Sequence, residues 1–315
     1  TLMRGADVAH AGRLAGRISG DSTVAYAWAF ANAVEVALGV MPPRRATALR
    51  AVMAELERIA NHLGDIGAIC NDAAFAIMLA HCAVLREQVL RAAKLAFGHR
   101  LMMDRITPGG VACDLTEAGA AEISACLDEI ARVLPTLMQM YDSTASLQDR
   151  TVSTGKVSQA LVAQFAAGGF VGRASGRNFD ARRSTPYAPY DALAFDIPVL
   201  EEGDVDARLR IRAAEIEQST GILRQLLKDL PSGDVTINLP KPPRTCEGVG
   251  YVEGFRGDIF VWLRLDADGR IARAHLRDPS WFQWPLLEAA IEGNIVADFP
   301  LCNKSFNCSY SGHDL

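Results

Sequence analysis

The side chains of this 315-residue chain that could do chemistry concentrate in two short stretches, one near each end. The first is Arg17-Ile18-Ser19-Gly20-Asp21-Ser22, and the second is Ser309-Tyr310-Ser311-Gly312-His313-Asp314-Leu315. Together they offer hydroxyls, carboxylates, a guanidinium and an imidazole. If such groups meet, they can hold water, an anion or a small polar ligand, or they can close on one another through hydrogen bonds.

Sulfur chemistry is the next possibility. The seven cysteines are Cys70, Cys82, Cys113, Cys126, Cys246, Cys302 and Cys308. None forms a C-x-x-C pair, and their odd number is untypical of a disulfide framework. The sequence therefore predicts mostly buried free thiols in a reducing, cytoplasmic compartment.

Several other function classes lack support. Lysine and arginine total 32 against 37 acidic residues, and this net charge of −5 gives no electrostatic case for binding nucleic acid. There is no G-x-S-x-G motif for a serine hydrolase. The basic stretch from Arg173 to Arg183 lacks the spacing of a P-loop or of G-x-G-x-x-G, which leaves little support for phosphate binding. No apolar run reaches the roughly 18 residues that span a bilayer, so membrane association must come through a partner.

The elements that position these groups can be predicted from hydrophobic periodicity. Spacings of three and four residues predict helices at Thr23–Leu38, around the apolar stripe Leu49–Ile66, and at Ala76–Phe97, Glu117–Tyr141, Asp204–Leu230 and Pro285–Glu292. Alternation at Ile259–Leu265 and Ala272–Leu276, around the turn Asp266–Gly269, predicts a β-hairpin. The sequence thus predicts a mainly α fold, with a long-helix bundle core and a small β-hairpin or sheet portion.

The motifs also carry a family resemblance. The two end stretches resemble the metal-ligand motifs of the nickel-iron hydrogenase large subunit, R-[IV]-C-G-x-C near the N-terminus and D-P-C-x-x-C near the C-terminus. Other stretches resemble the membrane-bound, formate-hydrogenlyase-type hydrogenases and their relative, the 49-kDa subunit of respiratory complex I. These stretches are Ala54–Leu63, Thr107–Val111, Thr185–Tyr190 followed by Phe195–Pro198, and Gly293–Asp298. The matches run in order over nearly the whole chain.

The resemblance implies a hydrogenase-large-subunit-like fold in a single domain, residues 1–315, in which the two end motifs meet. The family has a further region before this point, so we expect that an N-terminal segment is lacking. Ser19 and Ser22 stand at the first cysteine pair of the family, and Ser309 and Gly312 stand at the second. Serine is a hard alcohol and cannot replace a soft thiolate. The resemblance therefore implies that this chain binds no nickel-iron centre and no other cofactor of its own.

The resemblance also implies a vestigial cavity between the end motifs. Its candidate residues are Asp7, Arg17, Ser19, Asp21, Ser22, His62, Arg256, Ser309 and His313. Asp7, which replaces the glutamate of the family's R-G-x-E, could equally be a helix-surface acid. Arg256, in a stretch that resembles the family's E-A-P-R-G, could equally form a surface salt bridge.

His62 has two interpretations of its own. It flanks the apolar stripe together with Glu57 and Asn61, and buried polar groups there must find partners. His62 is therefore either a hydrogen-bonded structural histidine or a contact with a neighbouring iron-sulfur subunit, which this helix faces in complex I.

Three functions remain open. The first is a large-subunit-like component of a membrane-associated redox complex, of the NADH:quinone oxidoreductase or membrane-bound hydrogenase type. It would dock an iron-sulfur partner and other subunits, and would lie in the cytoplasm at the inner face of the membrane. The second is an active quinone or small-molecule reductase that uses the vestigial cavity, so whether the chain is an enzyme stays open. A quinone is a possible ligand, although a quinone-site tyrosine of complex I falls on Gly20 here. The third is a freestanding scaffold or binding protein.

Overall fold

The computed structural model describes residues 2–315, and its longest helix lies at the centre of the helical core. This helix, α3 (Arg44–Asp72), packs against α2 (Thr23–Leu38), α4 (Ala76–Phe97), α10 (Val205–Lys228) and α12 (Phe299–Phe306). A fifth long helix, α5 (Glu117–Ser143), covers α4 and α10. The shorter helices are α1 (Val8–Ala15), α6 (Ala145–Thr151), α7 (Gln159–Phe165), α8 (Gly169–Arg173), α9 (Ala181–Ser184), α11 (Ser280–Ala290) and α13 (Tyr310–His313), with 3-10 turns at Tyr190–Ala192 and Val296–Asp298.

Helix α2 is apolar around its whole circumference, which is the pattern of a helix buried on every side. It is covered by α1 on one side and by a three-stranded sheet on another. Gly39 ends α2 with a backbone in the left-handed region (φ 65°), where glycine carries no steric penalty. The motif at residues 17–22 lies in the short connection between α1 and α2, so the buried helix fixes its position.

The main sheet is antiparallel, in the order β3 (Cys246–Gly254), β4 (Gly257–Leu265) and β5 (Ile271–Arg277). A tight turn pairs Gly254 with Gly257 and joins β3 to β4. The strands β1 (Ile106–Thr107) and β2 (Gly110–Val111) form a separate two-stranded hairpin. The sheet places the β3–β4 turn, which carries Arg256, against the helical core.

The predicted fold class is confirmed: the structure is mainly helical, with small antiparallel sheets. The hairpin of β4 and β5 is present as predicted, and an additional strand, β3, precedes it. Glycines interrupt the apolar pattern of β3, which hides the strand in the sequence. The predicted helix Pro285–Glu292 begins earlier, at Ser280, and includes Pro285 in its interior. None of the helices formed by residues 2–315 is long and apolar enough to cross a membrane.

Two glycines let β3 lie directly on the backbone of α2. A Cβ atom added to Gly250 would lie 1.8 Å from the carbonyl oxygen of Ala29, and one added to Gly248 would lie 1.9 Å from that of Ala33. These distances are far inside van der Waals contact, and the obstacle in each case is helix backbone. The contact between sheet and helix therefore depends on residues without a side chain.

We expect Gly250→Ala to destabilise the protein by about 3 kcal/mol or more, because rigid backbone cannot yield to the added methyl group. The matched control is Gly221→Ala on α10, where an added Cβ meets nothing within 4 Å. That change should stabilise the protein by about 0.5–1 kcal/mol, through the lower entropy of the unfolded chain. Denaturant unfolding of both variants measures the difference. Equal stability of the two variants would contradict the close packing described here.

Candidate functional site

An ion pair between Asp21 and Arg256 joins the N-terminal motif to the sheet. The guanidinium binds the carboxylate through two hydrogen bonds, Nη1 to Oδ1 at 2.9 Å and Nη2 to Oδ2 at 2.6 Å. Nη1 also donates to Ser22 Oγ at 3.0 Å, and Nε donates to the carbonyl oxygen of Asn307 at 2.5 Å. One side chain on the β3–β4 turn therefore binds both the N-terminal motif and the C-terminal segment.

The two partners differ in exposure. The Arg256 side chain is 5% exposed, whereas that of Asp21 is 36% exposed. Burial opposes ionisation of Asp21, but the hydrogen bonds and charge of Arg256 outweigh it and hold the pKa of Asp21 below its ordinary value. The pair is therefore charged at neutral pH, and Arg256 is the member that cannot turn to water.

Side chains of helix α3 hold the N-terminal motif and the start of α2 in place through hydrogen bonds. Asn61 Nδ2 donates to the carbonyl oxygen of Asp21 at 2.7 Å. The Glu57 carboxyl accepts hydrogen bonds from the backbone N–H groups of Val24 (2.8 Å) and Ala25 (3.1 Å), which begin α2. Burial nevertheless raises the pKa of Glu57 to about 8. The buried polar residues that flank the apolar stripe thus find their partners in the motif and in the first turn of α2.

The serines of both motifs complete a cluster around the ion pair. Ser19 Oγ donates to Asp21 Oδ1 at 2.6 Å, and Ser309 Oγ lies 3.4 Å from Ser19 Oγ. Ser309 Oγ also accepts from the backbone N–H of Gly312 at 3.0 Å, at the start of α13. The structure therefore brings together five of the candidate residues: Ser19, Asp21, Ser22, Arg256 and Ser309. Their polar groups are committed largely to one another.

Gly312 lies directly against the buried carboxylate of Asp278. A Cβ atom at position 312 would lie 2.5 Å from both Cγ and Oδ2 of Asp278. Asp278 is held in place by the hydroxyl of Tyr26 and by the backbone N–H of Ser280, at 2.8 Å. Burial and the charge of Asp278 raise the pKa of Tyr26, which keeps the hydroxyl a donor. Position 312 has no room for any side chain in this arrangement.

Three other candidate residues lie outside this cluster. Arg17 is exposed and forms a bidentate pair with Asp104, with both N–O distances at 2.6 Å. Asp7 is also exposed, and it caps the start of α1 by accepting from the backbone N–H of His10 at 2.7 Å. His313 is exposed beside Trp284, with ring centroids 6.0 Å apart. The contacts of Asp7 are those of the helix-surface acid that was its alternative interpretation.

His62 is fully buried, so the ring offers no surface to a neighbouring subunit. Its Nε2 lies 2.8 Å from Glu215 Oε2, and the rings of Phe170 and Phe255 approach it edge-on. Burial lowers the pKa of His62 despite the adjacent carboxylate. These contacts are those of a hydrogen-bonded structural histidine.

Sequence reasoning missed the charges around His62. They form the buried charge cluster, defined here as Glu55, Arg58, Arg173, Asp180, Arg182, Glu215 and Glu253, each no more than 2% exposed. Two arginines of the basic stretch, Arg173 and Arg182, form ion pairs within this cluster and are therefore not available to bind a phosphate. The available signal was the spacing of Glu55, Arg58 and His62, which places three ionisable groups on one buried face of α3.

The thiols follow the prediction. All seven cysteines are free, and five of them are buried. Within the part of the chain that the structure describes, residues 2–315, no group of three or more His, Cys, Asp or Glu side chains is placed to hold a metal ion.

Comparisons with known proteins all indicate the same family. A family described as respiratory-chain NADH dehydrogenase, 49-kDa subunit, matches residues 72–245. The carbon monoxide-induced hydrogenase of Rhodospirillum rubrum is 30% identical over 279 residues, covering 88% of this chain and 77% of the relative. An NADH-quinone oxidoreductase component of Dehalococcoides mccartyi is 33% identical over 273 residues, covering 86% and 74%. A formate hydrogenlyase component of Escherichia coli is 27% identical over 303 residues, covering 96% and 53%.

A solved structure matches over the whole chain. It is a chain in the structure of the membrane-bound sulfane sulfur reductase, an archaeal respiratory membrane complex, with a TM-score of 0.93 and 26% identity. The match covers 100% of this chain and 87% of that one. The family resemblance predicted from the motifs is confirmed by these matches.

We expect Asp21→Asn to destabilise the protein by roughly 2 kcal/mol, because it leaves the buried Arg256 without a counter-charge. The matched control is Asp104→Asn, which breaks an equally short pair whose arginine is exposed and can turn to water. That change should cost under about 1 kcal/mol.

The effect of Asp21→Asn should also depend on pH. Since the pKa of Asp21 is lowered on folding, the stability that its carboxylate contributes is present above the pKa of the unfolded chain and is lost in acid. The difference between wild type and Asp21→Asn, measured by denaturant unfolding, should therefore shrink as pH falls. A constant difference would contradict the role of the pair.

Proposed function

The chain belongs to the family that contains the complex I 49-kDa subunit and the nickel-iron hydrogenase large subunit, and from this membership we propose that it is a subunit of a membrane-associated respiratory redox complex. In this proposal it docks an iron-sulfur partner and other subunits, lies on the cytoplasmic side and reaches the membrane only through them. The observation that carries the proposal is the match of its whole length, at a TM-score of 0.93, to a chain of a respiratory membrane complex.

An exposed apolar segment supports a subunit role. Ile295 and Val296 are 67% and 91% exposed, and Phe299, at the start of α12, is 48% exposed. Large apolar side chains clustered within five residues of exposed chain are more typical of a protein contact than of a surface facing water.

The residues at the end motifs do not fit a nickel-iron centre. The metal positions of the family carry hydroxyls at Ser19, Ser22 and Ser309, which are hard donors with a very high pKa. Ser22 and Ser19 are already bound to Arg256 and Asp21, respectively. The fourth position, Gly312, offers no ligand and has no room for one beside Asp278. We therefore propose that the chain contributes no metal chemistry of its own and that its electron-carrying partner holds the iron-sulfur cluster.

The same contacts weigh against a reductase that uses a cavity between the end motifs. Such an activity needs open space between the motifs. Arg256 lies in that space and binds both Asp21 and the carbonyl oxygen of Asn307, and the hydroxyls of Ser19 and Ser309 lie 3.4 Å apart. We propose instead that the end motifs now hold the two ends of the fold together. In this proposal the ancestral metal position has become a structural contact.

Purification of the protein from its own source under gentle conditions tests the subunit role. Mass spectrometry should find an iron-sulfur subunit and integral membrane subunits in the same preparation, and metal analysis should find iron without stoichiometric nickel. Recovery of the protein alone and free of iron would instead make it a freestanding protein. Stoichiometric nickel assigned to this chain would overturn the interpretation of the end motifs.

We expect the single change Gly312→Cys to destabilise the protein by about 1–3 kcal/mol, because its Cβ collides with the fixed carboxylate of Asp278. The control Ser19→Cys keeps the shape of the side chain and should cost about 1 kcal/mol, through a weaker hydrogen bond to Asp21.

A variant with Ser19, Ser22, Ser309 and Gly312 all changed to Cys is expected not to bind nickel stoichiometrically. Thermal unfolding and metal analysis of purified variants measure both effects. Tight nickel binding by the fourfold variant would show that the site can still open.

A further inference from the structure

The buried charge cluster is short of one positive charge, and we propose that it contains a proton-binding site at Glu253, which takes up and releases its proton close to neutral pH. The cluster holds four carboxyl groups and three guanidiniums, all within the interior. A buried charge without compensation is costly, so a net negative charge favours uptake of a proton. This inference depends on contacts inside the chain and not on the proposed function.

Charged groups that face the cluster from neighbouring elements do not cancel this excess, because each brings its own partner. Arg212 on α10 faces Glu215 and His62, and it is paired with Asp65 at 3.1 Å. Asp258 on β4 faces Glu253, and it is paired with Arg277. The phenols of Tyr187, Tyr190 and Tyr251 also face the cluster, and because burial raises their pKa values they stay neutral.

His62 is a poor place for the extra proton. Its Nε2 faces Glu215, which makes that nitrogen the one that carries hydrogen in the neutral ring. Its Nδ1 is buried and has no hydrogen-bond partner among residues 2–315. A second proton would therefore place an unsatisfied N–H in an apolar space beside Phe170 and Phe255. The neutral ring avoids that cost.

Three of the four carboxyl groups are well supplied with donors. Glu55 accepts from Arg58, Arg182, Tyr190 and Ser219. Asp180 accepts from Arg182 through both oxygens. Glu215 accepts from Arg173 through two nitrogens and contacts His62. Each of these groups is thereby held in its charged form.

Glu253 has the weakest support for a negative charge. Its Oε1 accepts a hydrogen bond from Arg173 Nη1 at 3.0 Å, and the same nitrogen also donates to the carbonyl oxygen of Phe179. Among residues 2–315, its Oε2 accepts only from the backbone N–H of Ala181, at 2.9 Å. Burial and the nearby charge of Asp180 raise the pKa of Glu253 to about 7. Glu253 is therefore the carboxyl group that binds the proton and so reduces the negative charge of the cluster.

The site lies next to the contact that joins the end motifs. Glu253 lies in β3 one residue before the β3–β4 turn that carries Arg256, and Arg58 donates to the carbonyl oxygens of Glu253 (2.9 Å) and Gly254 (3.1 Å). A charge brought to the Arg256 side of the turn would shift the proton occupancy of Glu253. If the chain works beside an electron carrier, a step that rests on the proposed function, arrival of an electron would favour protonation at Glu253.

Infrared spectroscopy of the full chain as a function of pH tests the site, because a protonated carboxyl group absorbs apart from carboxylates. Wild type should show buried carboxylic acid absorption with two components, one from Glu253 that disappears with a midpoint near pH 7 and one from Glu57 with a midpoint near 8. Glu253→Gln should lack only the component with the midpoint near 7. Glu57→Gln is the matched control, since Glu57 is also buried with a raised pKa but lies outside the cluster. The band with its midpoint near 7 should persist in that control. Its persistence in Glu253→Gln, or its absence from wild type below about pH 6, would overturn the proposal.

A second variant tests the site without removing the glutamate. Ala181→Pro deletes the N–H that donates to Glu253 Oε2, at the first position of α9, where proline is tolerated. Loss of a donor to the charged form should move the midpoint of the band to higher pH. An unchanged midpoint would overturn the assignment to Glu253, even if Glu253→Gln fails to fold.

Stability gives an independent readout. The folded chain retains a proton at Glu253 that the unfolded chain releases above its ordinary pKa of 4.5. The contribution of Glu253 to stability should therefore fall as pH rises from about 4.5 to 7, and Glu253→Gln should lack this dependence, which corresponds to about one proton. Denaturant unfolding at several pH values measures the slope. An identical slope in wild type and Glu253→Gln would contradict proton binding at Glu253.

Discussion

Buried charges must be paired, and most of this structure can be understood as the way one helix meets that requirement. Helix α3 places Glu55, Arg58 and His62 on a face that is closed to water. Their direct partners come from α9, α10 and β3, and Arg173 on α8 joins the same network through Glu215 and Glu253. Satisfying the charges therefore fixes the positions of these four elements. Apolar packing alone would tolerate some sliding between the elements, whereas two-point ion pairs do not.

The same helix also determines how the two end motifs are held. Asn61 and Glu57 hold the N-terminal motif and the first turn of α2, and Arg58 holds the turn that carries Arg256. Arg256 then reaches across to Asp21 and to the carbonyl oxygen of Asn307. The end motifs therefore meet because both are attached, through short hydrogen bonds, to elements that α3 has already positioned.

The residues at the end motifs are held by hydrogen bonds and close packing: Ser19 and Arg256 bind Asp21, and Gly312 lies against Asp278. In the function that we propose, these contacts stand where metal coordination would be in a hydrogenase. The fold itself is shared over the whole chain with a chain of a respiratory membrane complex, at a TM-score of 0.93. A shared fold with a different set of central contacts is consistent with the proposed role as a subunit.

The sequence by itself determined the local features and the family. Periodicity fixed the long helices and the β4–β5 hairpin, because a helix or strand pattern depends only on residues close in the chain. The motifs identified the family, because their order survives even where the ligands have changed. Sequence could not determine which polar groups meet. Arg17 and Arg256 are both arginines beside family motifs, yet Arg17 is exposed and binds Asp104 while Arg256 is buried against Asp21. Only the tertiary structure decided this, because the partner of a buried charge comes from a distant part of the chain and depends on how all the elements pack.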